Sequence, residues 1–272
     1  MEETKKSGEP IVSGKADAGD HARVASISDR KGLARGIYLL PNLITTGALF
    51  SGFYAIIAAM SGSLENAAIA IVIAGILDSL DGRIARMTNT QSEFGVQYDS
   101  LSDLVAFGVA PAVLMFSWVL SDLGKIGWMI SFLYMACAAL RLARFNTAPD
   151  SSVFYGLPSP AAAGAISAFV WTWVDFFDPA VSIQLTVIIA VFITVAALLM
   201  VSNIRYYSPK HIDLKGRVPF IYMLGIVLLF TVVAMYPPGM LLCVGLVYGV
   251  SGPIQALIRK KSLFSKKKIA GD

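Results

Sequence analysis

Four aspartates crowd into one stretch, LDSLDGRIARMTNTQSEFGVQYDSLSD, which runs from Leu77 to Asp103 between almost purely apolar flanks. Asp78 and Asp81 are three apart, and Asp99 and Asp103 are four apart. Residues at those separations share a helix face, so each pair projects in one direction. The connecting MTNTQSE is short, which makes the two helices antiparallel neighbours and lets four carboxylates converge on one volume. Such a cluster repels itself, and burial adds a desolvation cost on the order of several kcal/mol per ion. Arg83 and Arg86 would cancel half of the charge. Two divalent cations would cancel all of it, and ligation by carboxylates alone selects hard ions, Mg2+ or Mn2+, with Ca2+ as an inhibitory competitor. The alternative is a set of interhelical salt bridges to Arg83, Arg86, Arg141 and Arg144 without metal. Two same-face acidic pairs exceed what packing of that kind requires.

The glycines beside the aspartates extend this reading. Gly82 follows Asp81, and Gly95 lies four residues before Asp99. A glycine inside a helix costs roughly 0.5–1 kcal/mol relative to alanine, so each needs a reason. A bare backbone lets a bulky ligand approach, and a nucleotide pyrophosphate is such a ligand. Close packing of helices through small residues is the competing reason, and it is preferred for Gly75.

The elements that must position these groups are membrane helices. Of 272 residues 56% are hydrophobic and only 15% charged, a balance that belongs to the bilayer. Eight stretches are long and apolar enough to cross about 30 Å of hydrocarbon as helices: 38–60, 65–87, 96–120, 125–146, 158–176, 181–202, 218–236 and 239–258. MYPPGM and DFFDPAV read as tight turns between them. The expected fold is therefore an all-α polytopic bundle, with residues 35–258 as its membrane domain. Residues 1–34 form a polar, disordered tail that is no cleavable signal peptide, and residues 259–272 form a basic tail. Cys137 and Cys243 lie in apolar runs and offer neither a disulfide framework nor metal-ligand spacing. Of the 22 lysines and arginines only Lys125 falls on the far face of such a bundle, which puts both termini and the aspartates in the cytoplasm. The net charge of +4 gathers on that surface, opposite anionic lipid headgroups. Spans of this kind argue against a nucleic-acid partner, and no internal repeat suggests an inverted-repeat transporter. A cation or proton transporter remains the rival class, but it would distribute acidic residues through the membrane's depth, and here they gather at one face.

The stretch beginning at Asp78 resembles, position for position, the signature of the CDP-alcohol phosphotransferase family, D-x2-D-G-x2-A-R-x8-G-x3-D-x3-D. Asp78, Asp81, Gly82, Ala85, Arg86, Gly95, Asp99 and Asp103 fill all its fixed positions. The resemblance implies an integral membrane enzyme that moves a phosphatidyl group from a CDP-linked lipid to an alcohol and releases CMP. It implies a six-helix core, a homodimer, and two divalent metals held by the four aspartates. By the same analogy Asp103 is the general base, Arg86 pairs with the donor's phosphates, and Gly82, Gly95 and Ser92 line the nucleotide pocket. LPNLITTG at 40–47 resembles the family's first span, whose Asn42 and Thr45 would sit at the cytidine end. Helix capping is the other account of those two residues.

ALRLARFNT, FYGLPSPAAAG and SNIRYYSPKHIDLKGRVPF further resemble the phosphatidylserine synthase branch, which implies CDP-diacylglycerol as donor and L-serine as acceptor. Serine is a zwitterion, and its carboxylate needs a cation. Arg141 and Arg144 suit it, with Asn146 orienting the amino acid. Marking the membrane boundary is the competing account of both, and glycerol 3-phosphate, the acceptor of a sister branch, would use a similar pocket, so the arginines do not decide between acceptors. The loop at 203–217 would cover the cytoplasmic mouth or grip membrane lipid, with His211 solvated. The branch reading places the protein in a prokaryotic inner membrane.

Overall fold

A computed structural model describes residues 40–88, 90–147, 154–177, 181–206 and 234–269, with isolated positions at 225, 228 and 231 and side chains as far as Ile258. Helix α1 (Leu40–Met60) turns through Gly62, at φ +80°, into α2 (Leu64–Met87). Next comes one continuous helix from Glu93 to Trp118, built of α3 (Glu93–Asp103), a π-helical segment (Leu104–Val109) and α4 (Ala110–Trp118). A short 3-10 turn (Leu120–Leu123) leads to α5 (Lys125–Thr147). Then follow β1 (Phe154–Tyr155), α6 (Ser159–Phe176), α7 (Ile183–Val201), β2 (Arg205–Tyr206) and α8 (Pro237–Ile269).

Helices thus stand at seven of the eight expected spans; most of the seventh, at 218–236, lies outside the described residues, as do the N-terminal tail and most of the 203–217 loop. Among the described residues five helices are long and apolar enough to cross a membrane: α1, Glu93–Trp118, α5, α7 and the Pro237–Ala256 part of α8. The other two differ for reasons visible in their residues. Helix α2 carries Glu65, Asp78, Asp81, Arg83 and Arg86, and α6 has only 18 residues, including Ser159, Ser167, Thr172 and Asp175. The last helix also runs past the expected boundary at 258, so the basic run Lys266–Lys268 continues it.

Small residues let the backbones close. Ala55, Ala59, Ala67, Ala74, Ala106 and Ala110 are almost fully buried. A Cβ on Gly52 would stand 2.8 Å from the Ala106 Cα, and one on Gly245 would stand 2.7 Å from the Ala165 Cβ. Membrane helices gain little hydrophobic drive against one another, so close approach of this kind carries the packing. Outward faces stay apolar: Ile188 and Leu198 on α7 are exposed while Ile189 and Ala197 are buried. That is the pattern of a bundle facing lipid.

Two features were not expected from the sequence. Antiparallel β1 and β2 pair Phe154 with Tyr206 and Tyr155 with Arg205, which joins FYGLPSP to SNIRYY. Beside this ladder Gly156 has φ +80°, and a Cβ there would collide with the Met200 carbonyl. The second is the π-helical segment directly after Asp103. Ala110 donates its N–H to Val105, five residues back. Pro111 has no N–H to offer the carbonyl of Phe107, and the fully buried Tyr134 hydroxyl of α5 donates to it instead, at 3.3 Å.

Candidate active site

Helix α2 presents Asp78 and Asp81 near its C-terminal end, and α3 carries Asp99 and Asp103. Asp78, Asp99 and Asp103 each place a carboxylate oxygen within 4.8 Å of the other two, and all three are partly buried. Asp81 stands apart from that trio. It is 4% exposed, and its Oδ2 accepts a hydrogen bond of 2.6 Å from the Thr45 hydroxyl of α1. Its charge still acts on Asp78, Asp99 and Asp103 through space. Convergence is therefore of three carboxylates with a fourth tethered alongside, rather than of four equals.

The arginines that could have neutralised the cluster without metal make their hydrogen bonds and ring contacts to other groups or line other surfaces, although the Arg141 charge does reach Asp103. Arg86 Nε donates to the Gly82 carbonyl of its own helix at 2.9 Å, and Arg83 lines a groove on another side of α2. Arg141 donates from a terminal nitrogen to the buried Ser159 hydroxyl at 2.9 Å, and the Arg144 guanidinium sits 5.5 Å from the centre of the Tyr155 ring. A trio of carboxylates in reach of one another, all oxygen and all anionic, fits a hard divalent cation better than it fits helix packing.

The residues expected to line a nucleotide fall into two groups. Among the described residues a Cβ on Gly82 would meet nothing within 4 Å, so helix packing there does not account for that glycine. A Cβ on Gly95 would lie 3.1 Å from Ser92 Oγ and 3.4 Å from Asn42 Oδ1, so close contact between α3 and the start of α1 does account for that one. Ser92 is the N-cap of α3, its hydroxyl accepting from the Gly95 N–H at 3.0 Å. Thr45, expected at the cytidine end, is buried and bonded to Asp81.

Of the residues expected to bind the acceptor, Arg141 is the one near the aspartates. Its charge interacts with Asp103 and with Tyr248 of α8, and its Nε is buried with no hydrogen-bond partner among the described residues. The Asn146 amide donates to Ser100 Oγ at 3.0 Å, which ties the end of α5 to α3 one residue past Asp99. Arg144 turns the other way, to β1. Sequence reasoning passed over Ser100, Ser102 and Tyr134, although a serine next to Asp99, another next to Asp103 and a proline eight residues past Asp103 were signals to follow.

An apolar groove of about 460 Å³ runs between α2, α6 and α8, with Gly75, Ile76, Leu80, Gly164 and Gly245 in its wall and Arg83 at one side. It adjoins the face of α2 that carries Ser79, the neighbour of Asp78.

Comparison with known proteins agrees with this geometry. Residues 38–201 match the model of the CDP-alcohol phosphatidyltransferase family. The CDP-diacylglycerol–serine O-phosphatidyltransferase of Helicobacter pylori strain J99 is 36% identical over 237 residues, which cover 86% of this chain and 98% of that protein. A protein of the same name from Methanocaldococcus jannaschii is 36% identical over 81% of this chain and 96% of its own length. The archaetidylserine synthase of Methanothermobacter thermautotrophicus is 39% identical over 61% of this chain and 69% of its own. An integral membrane protein with this carboxylate trio, matched across most of its described helices, belongs to the CDP-alcohol phosphatidyltransferase family.

Proposed function

We propose that the protein transfers the phosphatidyl group of CDP-diacylglycerol to the hydroxyl of L-serine, giving phosphatidylserine and CMP. The observation that carries the chemistry is the meeting of Asp78, Asp99 and Asp103 within 4.8 Å. The acceptor is supported by the relatives' names. Two that are matched over nearly their whole length are named for serine, and the archaeal synthase whose name changes the lipid keeps serine in it. The acceptor is thus the shared term and the lipid the variable one.

Asp78, Asp99 and Asp103, with Asp81 beside them, would hold two divalent cations, Mg2+ or Mn2+. Bound there, such ions neutralise charge on the diphosphate and on the departing CMP. The chain's own residues do the rest. Asp103 takes the proton of the serine hydroxyl, whose oxygen attacks the phosphorus that bears diacylglycerol while the bond from that phosphorus to the CMP oxygen breaks. The open flank of Gly82 gives the diphosphate room, and Arg86, whose Nε is bonded to the Gly82 carbonyl, pairs with the donor's phosphates through its remaining N–H groups. Asn42, Gly95 and Ser92 meet where α1 and α3 begin, and they bound the nucleotide end of the pocket. Arg141 receives the serine carboxylate: its charge acts on Asp103, and its Nε has no hydrogen-bond partner among the described residues. Asn146 and Arg144 support that end of α5 through Ser100 and Tyr155. The groove between α2, α6 and α8 suits an acyl chain of the donor.

The catalytic body in this reading is 35–258, with both termini and the aspartates at the cytoplasmic face of a prokaryotic inner membrane, where the lysines and arginines concentrate. It works as a homodimer among membrane lipids. Purified full-length protein given CDP-diacylglycerol, L-serine and Mn2+ should release CMP and form phosphatidylserine, and a chelator should stop both. Release with glycerol 3-phosphate but not with serine would move the protein to the sister acceptor. Ion flux in proteoliposomes without CMP release would make it a transporter.

A further inference from the structure

Thr45 is almost wholly buried, at 4% exposure, in a helix with no aspartate of its own. Its hydroxyl lies 2.6 Å from Asp81 Oδ2 and 3.1 Å from the Pro41 carbonyl. One proton cannot serve both acceptors fully, and the contact to the carboxylate is the shorter. On its other side, the Thr45 carbonyl accepts from the Ser102 hydroxyl at 3.3 Å, and Ser102 is itself 2% exposed and adjacent to Asp103. One residue of α1 therefore touches both aspartate-bearing helices, α2 through its side chain and α3 through its backbone.

We propose that Thr45 is a positioning residue for the metal site: its hydroxyl holds one oxygen of Asp81 and leaves the other for a cation, while its carbonyl holds α3 in register through Ser102. This departs from a role in binding the nucleotide, because a hydroxyl committed to a buried carboxylate has no proton left for a base or a sugar. The inference rests on the reading that divalent cations occupy the aspartate cluster. Hydrogen bonds to charged groups in buried sites are worth enough that loss of this one should weaken cation binding by roughly tenfold.

The test is a Mn2+ titration of the full-length protein in detergent, with free Mn2+ read from its electron paramagnetic resonance signal. CMP release is measured alongside as a function of CDP-diacylglycerol concentration. Thr45→Val, which keeps the shape and removes the hydroxyl, should bind Mn2+ roughly tenfold more weakly with the KM for CDP-diacylglycerol changed by less than about twofold. Thr45→Ser should recover most of the Mn2+ affinity, which a role in packing alone would not give. If the valine form does not fold, Thr45→Ala removes the same hydroxyl without a branched side chain and is scored the same way. Mn2+ binding at the parent level together with a raised KM for the donor would overturn the inference and return Thr45 to the nucleotide. Serine and valine forms that are equally weak would also overturn it, since the hydroxyl would then not be the acting group. Parent protein that takes up no Mn2+ would overturn the metal reading itself, an outcome distinct from either of these.

Discussion

Asp78 and Asp81 on α2 and Arg141 and Arg144 on α5 are spaced alike, three residues apart, and in both pairs the structure separates what the spacing joins. Asp78 enters the carboxylate trio while Asp81 is drawn to Thr45. Arg141 donates to Ser159 and its charge acts on Asp103, and Arg144 sits over Tyr155. Three residues on a helix differ by about 60° in direction. That is close enough to share a face and far enough for two neighbouring helices to claim one side chain each. Spacing selects the face, and the partner on the next element selects the role.

The sharpest test of this difference falls on the aspartates. Asp103→Asn should lower CMP release by about 10²- to 10⁴-fold while the protein stays folded, as expected for loss of a general base in the trio. Single-turnover CMP release, with circular dichroism to confirm the helices, decides it. A variant with full turnover would remove Asp103 from that role.

The arginine pair should show the next largest effect. Arg141→Ala should lower kcat/KM for serine by about 10- to 100-fold, the range for removing hydrogen bonds to a charged group, and leave the KM for CDP-diacylglycerol nearly unchanged. Arg144→Ala should cost less than about threefold, because an exposed cation over an aromatic ring contributes little. Steady-state kinetics in both substrates distinguishes the two. Equal losses would erase the contrast between an inward and an outward arginine.

This contrast also marks how far the sequence could be read. Hydropathy finds α1, α5 and α7 to within two residues at each end, since each is a nearly unbroken apolar run that only a bilayer explains. The aspartate pairs are equally legible, because carboxylates in such a run have few reasons to exist. Three kinds of feature are not. The β1–β2 ladder depends on pairing residues fifty positions apart, and two residues per strand leave no periodicity to detect. Thr45 looks like a helix-capping or ligand residue until α2 is placed beside it, since a hydroxyl's partner is a tertiary fact. Gly82 and Gly95 look alike in the sequence, yet one faces open space and the other Asn42 and Ser92.

The smallest expected effect asks whether the same rule, that partners decide, reaches the backbone that carries Asp103. The π-helical segment after Asp103 leaves the Phe107 carbonyl without the N–H that Pro111 lacks, and the Tyr134 hydroxyl supplies the missing donor. Tyr134→Phe should therefore destabilise the protein by about 0.6–2 kcal/mol, the range for interhelical hydrogen bonds in membrane proteins. In a Pro111→Ala background residue 111 regains an N–H for that carbonyl, and the same tyrosine substitution should cost almost nothing. Unfolding of the four proteins in mixed micelles, parent, both singles and the double, gives the coupling directly. Equal costs of Tyr134→Phe in both backgrounds would mean that the hydroxyl does not serve the proline's missing donor. A coupling of the expected sign would tie the geometry of the segment beside Asp103 to a proline on α4 and a tyrosine on α5.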